Sequence, residues 1–210
     1  IPDPQSPASP QSPIPNPRSL CARCSRGERT IDRARAVGEY EGALREIIHA
    51  LKYGGRRSLA RPLAESMRAR GTELLSAADY AVPVPLHWRR EYQRGFNQAR
   101  DLARHLGLPV MDALTRRRRT RAQVELPADR RHLNVADAFE LRRRWLQQSR
   151  SIQGTTMILV DDVSTTGSTL EACAGVLKEG GASEVYALTA ARVITRGRGT
   201  TNPESRIPNP

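Results

Sequence analysis

Apolar residues recur at helical spacing in the first half of the chain, which predicts three amphipathic helices. The three stripes are Leu44, Ile47, Ile48 and Leu51; Leu59, Leu63 and Met67; and Ala99, Leu102, Ala103 and Leu106. We predict that the first helix ends at the glycine pair that begins with Gly54, since glycine favours helix ends. The second is predicted to run from an N-cap at Ser58 to Gly71, and the third to end at Gly107.

Short apolar runs predict the strands. Residues 80–84 form a brief run that contains proline, residues 157–160 are continuously apolar, and residues 185–191 form a third run. Between the last two, a stripe of Leu170, Cys173, Ala174 and Leu177 predicts a helix that ends at Gly180. A strand, a helix and a strand in this order form a right-handed parallel crossover, so we expect an α/β domain.

The remaining segments are polar. Residues 1–17 alternate proline with Ser, Gln and Asn, and cannot bury enough apolar surface to offset their ordering entropy, so we expect a disordered tail. Residues 195–210 lack apolar periodicity and are expected to form a second disordered tail. Residues 116–131 are basic and aperiodic, which predicts a long exposed loop of a kind that is more often functional than idle.

Arginine dominates the charge of the chain. The net charge is +12, and the 34 basic residues are 32 Arg and 2 Lys. Such a surplus attracts phosphates on a small ligand or along a nucleic acid, although an arginine outside a motif is equally well explained as solvated surface. Three cysteines do not indicate a disulfide framework, and no apolar stretch is long enough for a membrane span. We therefore expect a cytoplasmic protein.

Asp161 and Asp162 follow the buried run 157–160, at the end of the sheet where ligands of parallel sheets lie. Two adjacent carboxylates repel each other and lose hydration, a cost that is explained if they accept hydrogen bonds from sugar hydroxyls or hold a hydrated divalent cation. Next come Ser164, Thr165, Thr166, Gly167, Ser168 and Thr169. With the free N–H groups of a helix N-terminus they predict an anion cradle, which is not a Walker A loop. The alternative is an acidic turn followed by a helix cap.

The order of apolar strand, Asp-Asp and Thr-Thr-Gly-x-Thr resembles the motif that binds phosphoribosyl pyrophosphate in type I phosphoribosyltransferases. Over nearly all of residues 18–194 the chain resembles the ComF family of competence-associated proteins, also called the ComF/GntX family. Besides the acidic loop, the segments that carry this resemblance are His49-Ala50-Leu51-Lys52-Tyr53, Val84-Pro85-Leu86, Arg94-Gly95-Phe96-Asn97-Gln98, and residues 121–123 followed by Arg131 and Asn134.

The resemblance implies an α/β fold of the type I phosphoribosyltransferase class. This fold is a mainly parallel twisted sheet flanked by helices, here expected over residues 40–194, with a small N-terminal helical hood over residues 40–75. Catalytic and metal-binding roles pass to Asp161 and Asp162, which would hold Mg²⁺ through the ligand.

Residues 18–39 are expected to be the remnant of the zinc-ribbon segment of that family. Cys21 and Cys24 form a CxxC, which is half of a tetrahedral zinc site. The first CxxC of the ribbon is missing from residues 1–17, so zinc is not expected in this chain as written. A remnant without metal is preferred over a chain that begins too late, because two thiolates alone rarely hold zinc.

Arg89, Arg90 and Arg94 follow the predicted strand 80–84, and by similarity they correspond to the pyrophosphate loop of phosphoribosyltransferases. Guanidinium groups suit a diphosphate because they give bidentate contacts and stay charged. Arg94 is the preferred residue of the three. The alternative is a solvated helix start.

Residues 116–131 lie where phosphoribosyltransferases carry a lid that closes over the reacting centre. Arg119, Arg121 and Gln123 are the candidate ligand-binding residues of this segment. Closure would exclude water and bring positive charge to the leaving diphosphate. The alternative is a nucleic-acid contact surface, which the arginine density favours but which lacks aromatic residues for base stacking.

The resemblance implies a protein that binds phosphoribosyl pyrophosphate and Mg²⁺ and that transfers a phosphoribosyl group to an acceptor which the sequence does not identify. It also implies a role in DNA uptake during natural competence, with single-stranded DNA and a helicase-like competence protein as partners. The alternative from a different class is a binding module without catalysis that acts as a scaffold or sensor in import of single-stranded DNA. A shared fold does not decide between these two functions.

Overall fold

The computed structural model describes residues 29–117, 138–142 and 152–194. In chain order the elements are β1 (Arg33–Glu39), α1 (Gly42–Tyr53), a 3₁₀ turn (Arg57–Leu59), α2 (Ala60–Ala77), β2 (Tyr80–Pro83), α3 (Trp88–Arg94), α4 (Gln98–Ala103), β3 (Leu114–Arg116), β4 (Phe139–Leu141), β5 (Thr156–Ser164), α5 (Ser168–Glu179) and β6 (Glu184–Arg192). Both tails predicted to be disordered, 1–17 and 195–210, lie outside the described residues, as do Cys21 and Cys24.

Four parallel strands form the central sheet, in the order β1-β6-β5-β2. Strands β5 and β6 are joined through α5, as the apolar pattern predicted, and the α/β class is confirmed. The sequence analysis missed β1, whose residues it placed in the ribbon segment 18–39. This strand lies at the edge of the sheet and is only partly buried, so it carries no continuous apolar run.

Two apolar clusters cover the two faces of the sheet. Ile158 and Val160 of β5 pack on one face with apolar residues of α1, α2 and α4. Met157 and Leu159 point to the other face, where they pack with α5 and with the β3–β4 pair. The alternation of successive side chains along β5 therefore assigns each helix to a face of the sheet.

The bounds of α2 differ from the prediction. The helix begins after the 3₁₀ turn with Leu59 as its N-cap residue, so Ser58 is not the N-cap, and it continues through Gly71 to Ala77. Gly71 is buried in the middle of the helix, where a Cβ would lie 2.9 Å from both methyl carbons of Leu188. The absence of a side chain at Gly71 allows α2 to pack closely on the sheet, and this glycine does not end the helix.

Helix α2 lies in the layer that covers the sheet, since Leu63, Met67 and Leu74 belong to the same cluster as the central strands. Of the segment predicted as a hood, α1 is the part whose C-terminal turn reaches the acidic residues of β5, through an ion pair of Lys52. None of the helices in the described residues is both long enough and apolar enough to cross a membrane.

Candidate functional site

The acidic pair lies within β5. From the sequence it was expected to follow the strand, directly after the apolar run 157–160. β5 runs to Ser164 because β6 continues beside it, with Asp161 opposite Thr189. On the other side β2 ends at Pro83, opposite Val160. The acids therefore lie just past the end of β2, at the carboxyl edge of the sheet where ligands of parallel sheets bind.

Asp162 is nearly fully buried, with 3% of its surface exposed. Its Oδ1 atom lies 2.8 Å from Nζ of Lys52, which comes from the last turn of α1. Its Oδ2 atom is buried and has no hydrogen-bond partner among the described residues. A buried carboxylate oxygen without a donor is costly, so this atom is a candidate acceptor for a ligand.

Asp161 points to the opposite face of the sheet, toward α5, since successive side chains of a strand alternate. Its Oδ1 atom accepts a hydrogen bond of 2.8 Å from the backbone N–H of Asp162. Burial, followed by the charge of Asp162, raises the pKa of Asp161 to about 8. This result agrees with the expectation that adjacent carboxylates here lose hydration and repel each other.

The cradle after β5 consists of a three-residue turn and the first turn of α5. Gly167 is the N-cap residue and has a φ of 79°, in the left-handed region that glycine adopts without strain. The hydroxyl of Thr166 accepts a long hydrogen bond of 3.4 Å from the N–H of Ser168, the first residue of the helix. The hydroxyl groups of Thr166 and Ser168 lie 2.8 Å apart and are exposed. The first N–H groups of a twelve-residue helix thus begin next to two hydroxyls, an arrangement that favours an anion.

The residues predicted to form the acidic loop and the cradle lie together at the end of β5, in the turn and at the start of α5. They are Asp161, Asp162, Ser164, Thr165, Thr166, Gly167, Ser168 and Thr169. The predicted acid pair differs in one respect. Its two side chains point to opposite faces of the sheet, so they would approach a ligand from two directions.

The three arginines of α3, Arg89, Arg90 and Arg94, differ in their surroundings. Arg94 lies with its guanidinium carbon 4.8 Å from the ring centre of Tyr53, and it donates a hydrogen bond of 3.1 Å to Gln98. Arg89 lies over Trp88, and Arg90 is exposed. Since Tyr53 follows Lys52 on α1, Arg94 is the arginine that the structure connects with the acidic pair.

Lys52 is the site residue that the sequence analysis missed. It appeared there only as part of the family segment and was given no role. One signal was available, because this is one of 2 lysines in a chain with 32 arginines. The contact itself joins α1 to β5, which are far apart in the sequence, so spacing could not reveal it.

The lid candidates Arg119, Arg121 and Gln123 lie outside the described residues. The chain on either side of them is described, and it pairs as an antiparallel ladder of β3 and β4 with Leu114 opposite Leu141. Arg117 continues the ladder with an ion pair of 2.9 Å to Glu140. The described part of the chain contains no group of three or more His, Cys, Asp or Glu residues that could hold a metal by itself.

The chain is similar in sequence to several known proteins. The phosphoribosyl transferase domain family matches residues 93–207. The DNA utilization protein YhgH of Escherichia coli (strain K12) is 35% identical over 83% of this chain and 78% of its own length. Competence protein F of Haemophilus influenzae is 32% identical over 82% of this chain and 78% of its own length. Competence protein ComFC of Bacillus subtilis is 28% identical over 75% of this chain and 63% of its own length.

A search of solved structures finds the allosteric regulatory enzyme of purine biosynthesis, with a TM-score of 0.41 and 22% identity over 62% of this chain and 25% of that one. The domain match includes β5, the acidic loop and β6, and the relatives above extend the similarity to most of the chain. The chain belongs to the ComF family and contains a type I phosphoribosyltransferase domain.

Proposed function

We propose that the protein binds phosphoribosyl pyrophosphate together with Mg²⁺ at the carboxyl edge of the sheet and transfers the phosphoribosyl group to an acceptor. The observation that supports this proposal is the acidic pair at the end of β5, followed directly by a helix N-terminus with exposed hydroxyls. Carboxylates suit the hydroxyls of a ribose, and the helix N-terminus suits its phosphate.

The ligand is expected to span the site in one direction. The turn at Thr166 and Gly167 would bind the 5-phosphate, and Asp161 and Asp162 would accept hydrogen bonds from the ribose hydroxyls. The diphosphate would then extend toward α3, where Arg94 is the candidate because it contacts Tyr53, the neighbour of Lys52 in α1.

The acidic pair also fits Mg²⁺. This cation binds through one or two carboxylates together with ligand phosphates and water, and does not require a cage of protein ligands. Asp161 and Asp162 could supply those carboxylates, and the buried Oδ2 atom of Asp162 has no partner among the described residues. When bound, Mg²⁺ neutralises charge on the diphosphate leaving group.

The reaction would be displacement of diphosphate from C1 of the ribose by the acceptor. No side chain acts as a covalent nucleophile in this proposal. The protein residues orient the ribose through the acidic pair, hold the phosphate at α5 and stabilise the leaving group through Arg94. The segment that contains Arg119, Arg121 and Gln123 would exclude water as a lid.

The names of the relatives suggest where this activity is used. YhgH is a DNA utilization protein and the other two relatives are competence proteins. We therefore propose a role in DNA uptake, in the cytoplasm, with single-stranded DNA and a helicase-like competence protein as partners.

The ligand proposal is tested by calorimetric titration with phosphoribosyl pyrophosphate, with and without Mg²⁺. Asp161→Asn and Asp162→Asn should each abolish Mg²⁺-dependent binding. Asp79→Asn is the matched control, since Asp79 is an exposed carboxylate that accepts a hydrogen bond from Thr156 at the opposite end of β5. Unchanged affinity in both site variants would refute the site.

Catalysis is tested separately by release of diphosphate with a panel of bases, nucleosides and amines. Steady release with one of them identifies an enzyme and its acceptor. Saturable binding without turnover across the panel, together with salt-sensitive binding of single-stranded DNA, identifies the binding module.

A further inference from the structure

Lys52 is held in a fixed place by the core. The neighbouring Leu51 is completely buried and, with Ile48, anchors α1 against the sheet. The helix ends directly after Tyr53, where the N–H of Gly54 donates to the carbonyl of Ala50 at 2.9 Å. The lysine side chain is 15% exposed, so its ammonium group is enclosed beside Asp162 and is not a mobile surface charge.

The two carboxylate oxygens of Asp162 have different surroundings, because the ammonium group of Lys52 contacts only one of them. Nζ lies 2.8 Å from Oδ1, which fixes the rotation of the carboxylate. Oδ2 is left buried without a partner among the described residues. A carboxylate held in this way has one oxygen committed to the protein and one available to a donor from outside.

The compact ammonium group of lysine suits this position better than the guanidinium group of arginine, the residue that supplies most of the positive charge of the chain. Lysine has a single ammonium group with three donors, whereas the planar guanidinium of arginine has five donors in a wide fork. The chain has 32 arginines, and yet the residue enclosed against Asp162 is one of its 2 lysines.

From these contacts we infer that Lys52 is a positioning residue of the ligand site, which orients Asp162 so that Oδ2 accepts the hydrogen bond of a ribose hydroxyl. The inference rests on the proposed function, because it assigns the ligand of Oδ2. It also gives α1 a role in binding, since its last turn contacts Asp162 through Lys52 and Arg94 through Tyr53. Ligand occupancy and the position of α1 are thereby coupled.

Lys178 supplies a matched control. It is the only other lysine, and it forms an ion pair of the same length, 2.8 Å, with Asp32 at the opposite edge of the sheet. Lys178→Met removes an aspartate partner just as Lys52→Met does, without touching the site. Lys178→Met thus controls for the loss of a lysine–aspartate ion pair away from the site, in a pair whose two side chains are more exposed than Lys52 and Asp162.

The experiment measures affinity for phosphoribosyl pyrophosphate with Mg²⁺ in the full chain, at a temperature where each variant is folded by circular dichroism. Lys52→Met should weaken binding on the order of tenfold, as expected for coupling between contacting residues, and Lys178→Met should not. Lys52→Gln, which keeps a neutral N–H donor on a shorter side chain, should fall between wild type and Lys52→Met, and it takes the place of Lys52→Met in the comparison if that variant does not fold.

The outcomes distinguish the role of Lys52 from the ligand site itself. Weakened binding in Asp162→Asn with wild-type binding in Lys52→Met would overturn the role of Lys52 and leave the ligand site standing. Equal losses of affinity in Lys52→Met and Lys178→Met would also overturn it, because the loss would then not depend on the contact with Asp162. Wild-type affinity in Asp162→Asn itself would refute the proposed site.

Discussion

The side-chain amide of Asn97 donates a hydrogen bond of 3.1 Å to the backbone carbonyl of Val84, just past the end of β2. The same side chain accepts a hydrogen bond of 2.9 Å from the N–H of Ala99 and so caps α4. One buried residue thus ties the end of a sheet strand to the start of a helix. The segment between them is α3, which carries Arg94, so Asn97 sets the place of that arginine.

Asn97→Ala should destabilise the protein by about 3 kcal/mol, the sum of a lost N-cap and a buried carbonyl left without its donor. Asn97→Ser is the matched variant, because its hydroxyl can still cap α4 but is too short to reach Val84. It should lose about half as much free energy. The measurement is urea unfolding of both variants, and equal stability of Asn97→Ala and wild type would contradict this role.

Gly71 and Gly175 lie in the interiors of two helices but in opposite surroundings. A Cβ at Gly71 would lie 2.9 Å from the methyl carbons of Leu188, whereas a Cβ at Gly175 would meet nothing within 4 Å. Gly71→Ala should therefore destabilise by about 1 kcal/mol, because overpacking outweighs the gain in helix propensity. Gly175→Ala should stabilise by about 0.5 to 1 kcal/mol. Thermal unfolding of both variants checks the two signs.

The sequence predicted the parts of the fold that have strong local signals. The apolar run of β5, the stripe of α5 and the loop between them are contiguous, so the candidate site could be predicted from about a dozen neighbouring residues. β1 was missed because an edge strand needs little apolar surface, and β3 and β4 were missed because each has three residues.

Long-range contacts account for the other differences. Gly71 was predicted to end a helix. The residue that requires a glycine there is Leu188, which lies far along the chain, so the local sequence does not indicate the contact. Lys52 was missed for the same reason, since its partner Asp162 belongs to another element. Local pattern gives the residue type at such positions, whereas the contact that explains it exists only after folding.

The raised pKa of Asp161 predicts how stability without ligand depends on pH. Its carboxyl has a usual pKa of 3.8 and a folded pKa of about 8, so between these values the folded state holds a proton that the unfolded state has lost. The free energy of unfolding should therefore fall as pH rises from about 4 to about 8, by at most about 1.4 kcal/mol per pH unit. Above pH 8 this contribution is constant.

Asp161→Asn isolates this effect from other titrating groups. Urea unfolding of wild type and variant is measured from pH 5 to pH 9, and the difference between their free energies is plotted. The variant should gain stability relative to wild type as pH rises, because an amide cannot lose the proton. A difference that does not change with pH would show that Asp161 titrates as an ordinary exposed carboxyl.

Arg57 joins the 3₁₀ turn before α2 to α4 through two hydrogen bonds to Asp101, of 2.8 and 2.9 Å. The side chain of Asp101 is only 8% exposed, so its carboxylate depends on these donors. Asp101→Asn should cost about 2 kcal/mol, since an amide cannot accept both bonds and places N–H against N–H. Glu65→Gln makes the same change in an exposed ion pair with Arg61 and should cost less than about 0.5 kcal/mol. If urea unfolding gave equal losses for both variants, the hydrogen bonds to the buried carboxylate of Asp101 would contribute no more than a surface contact.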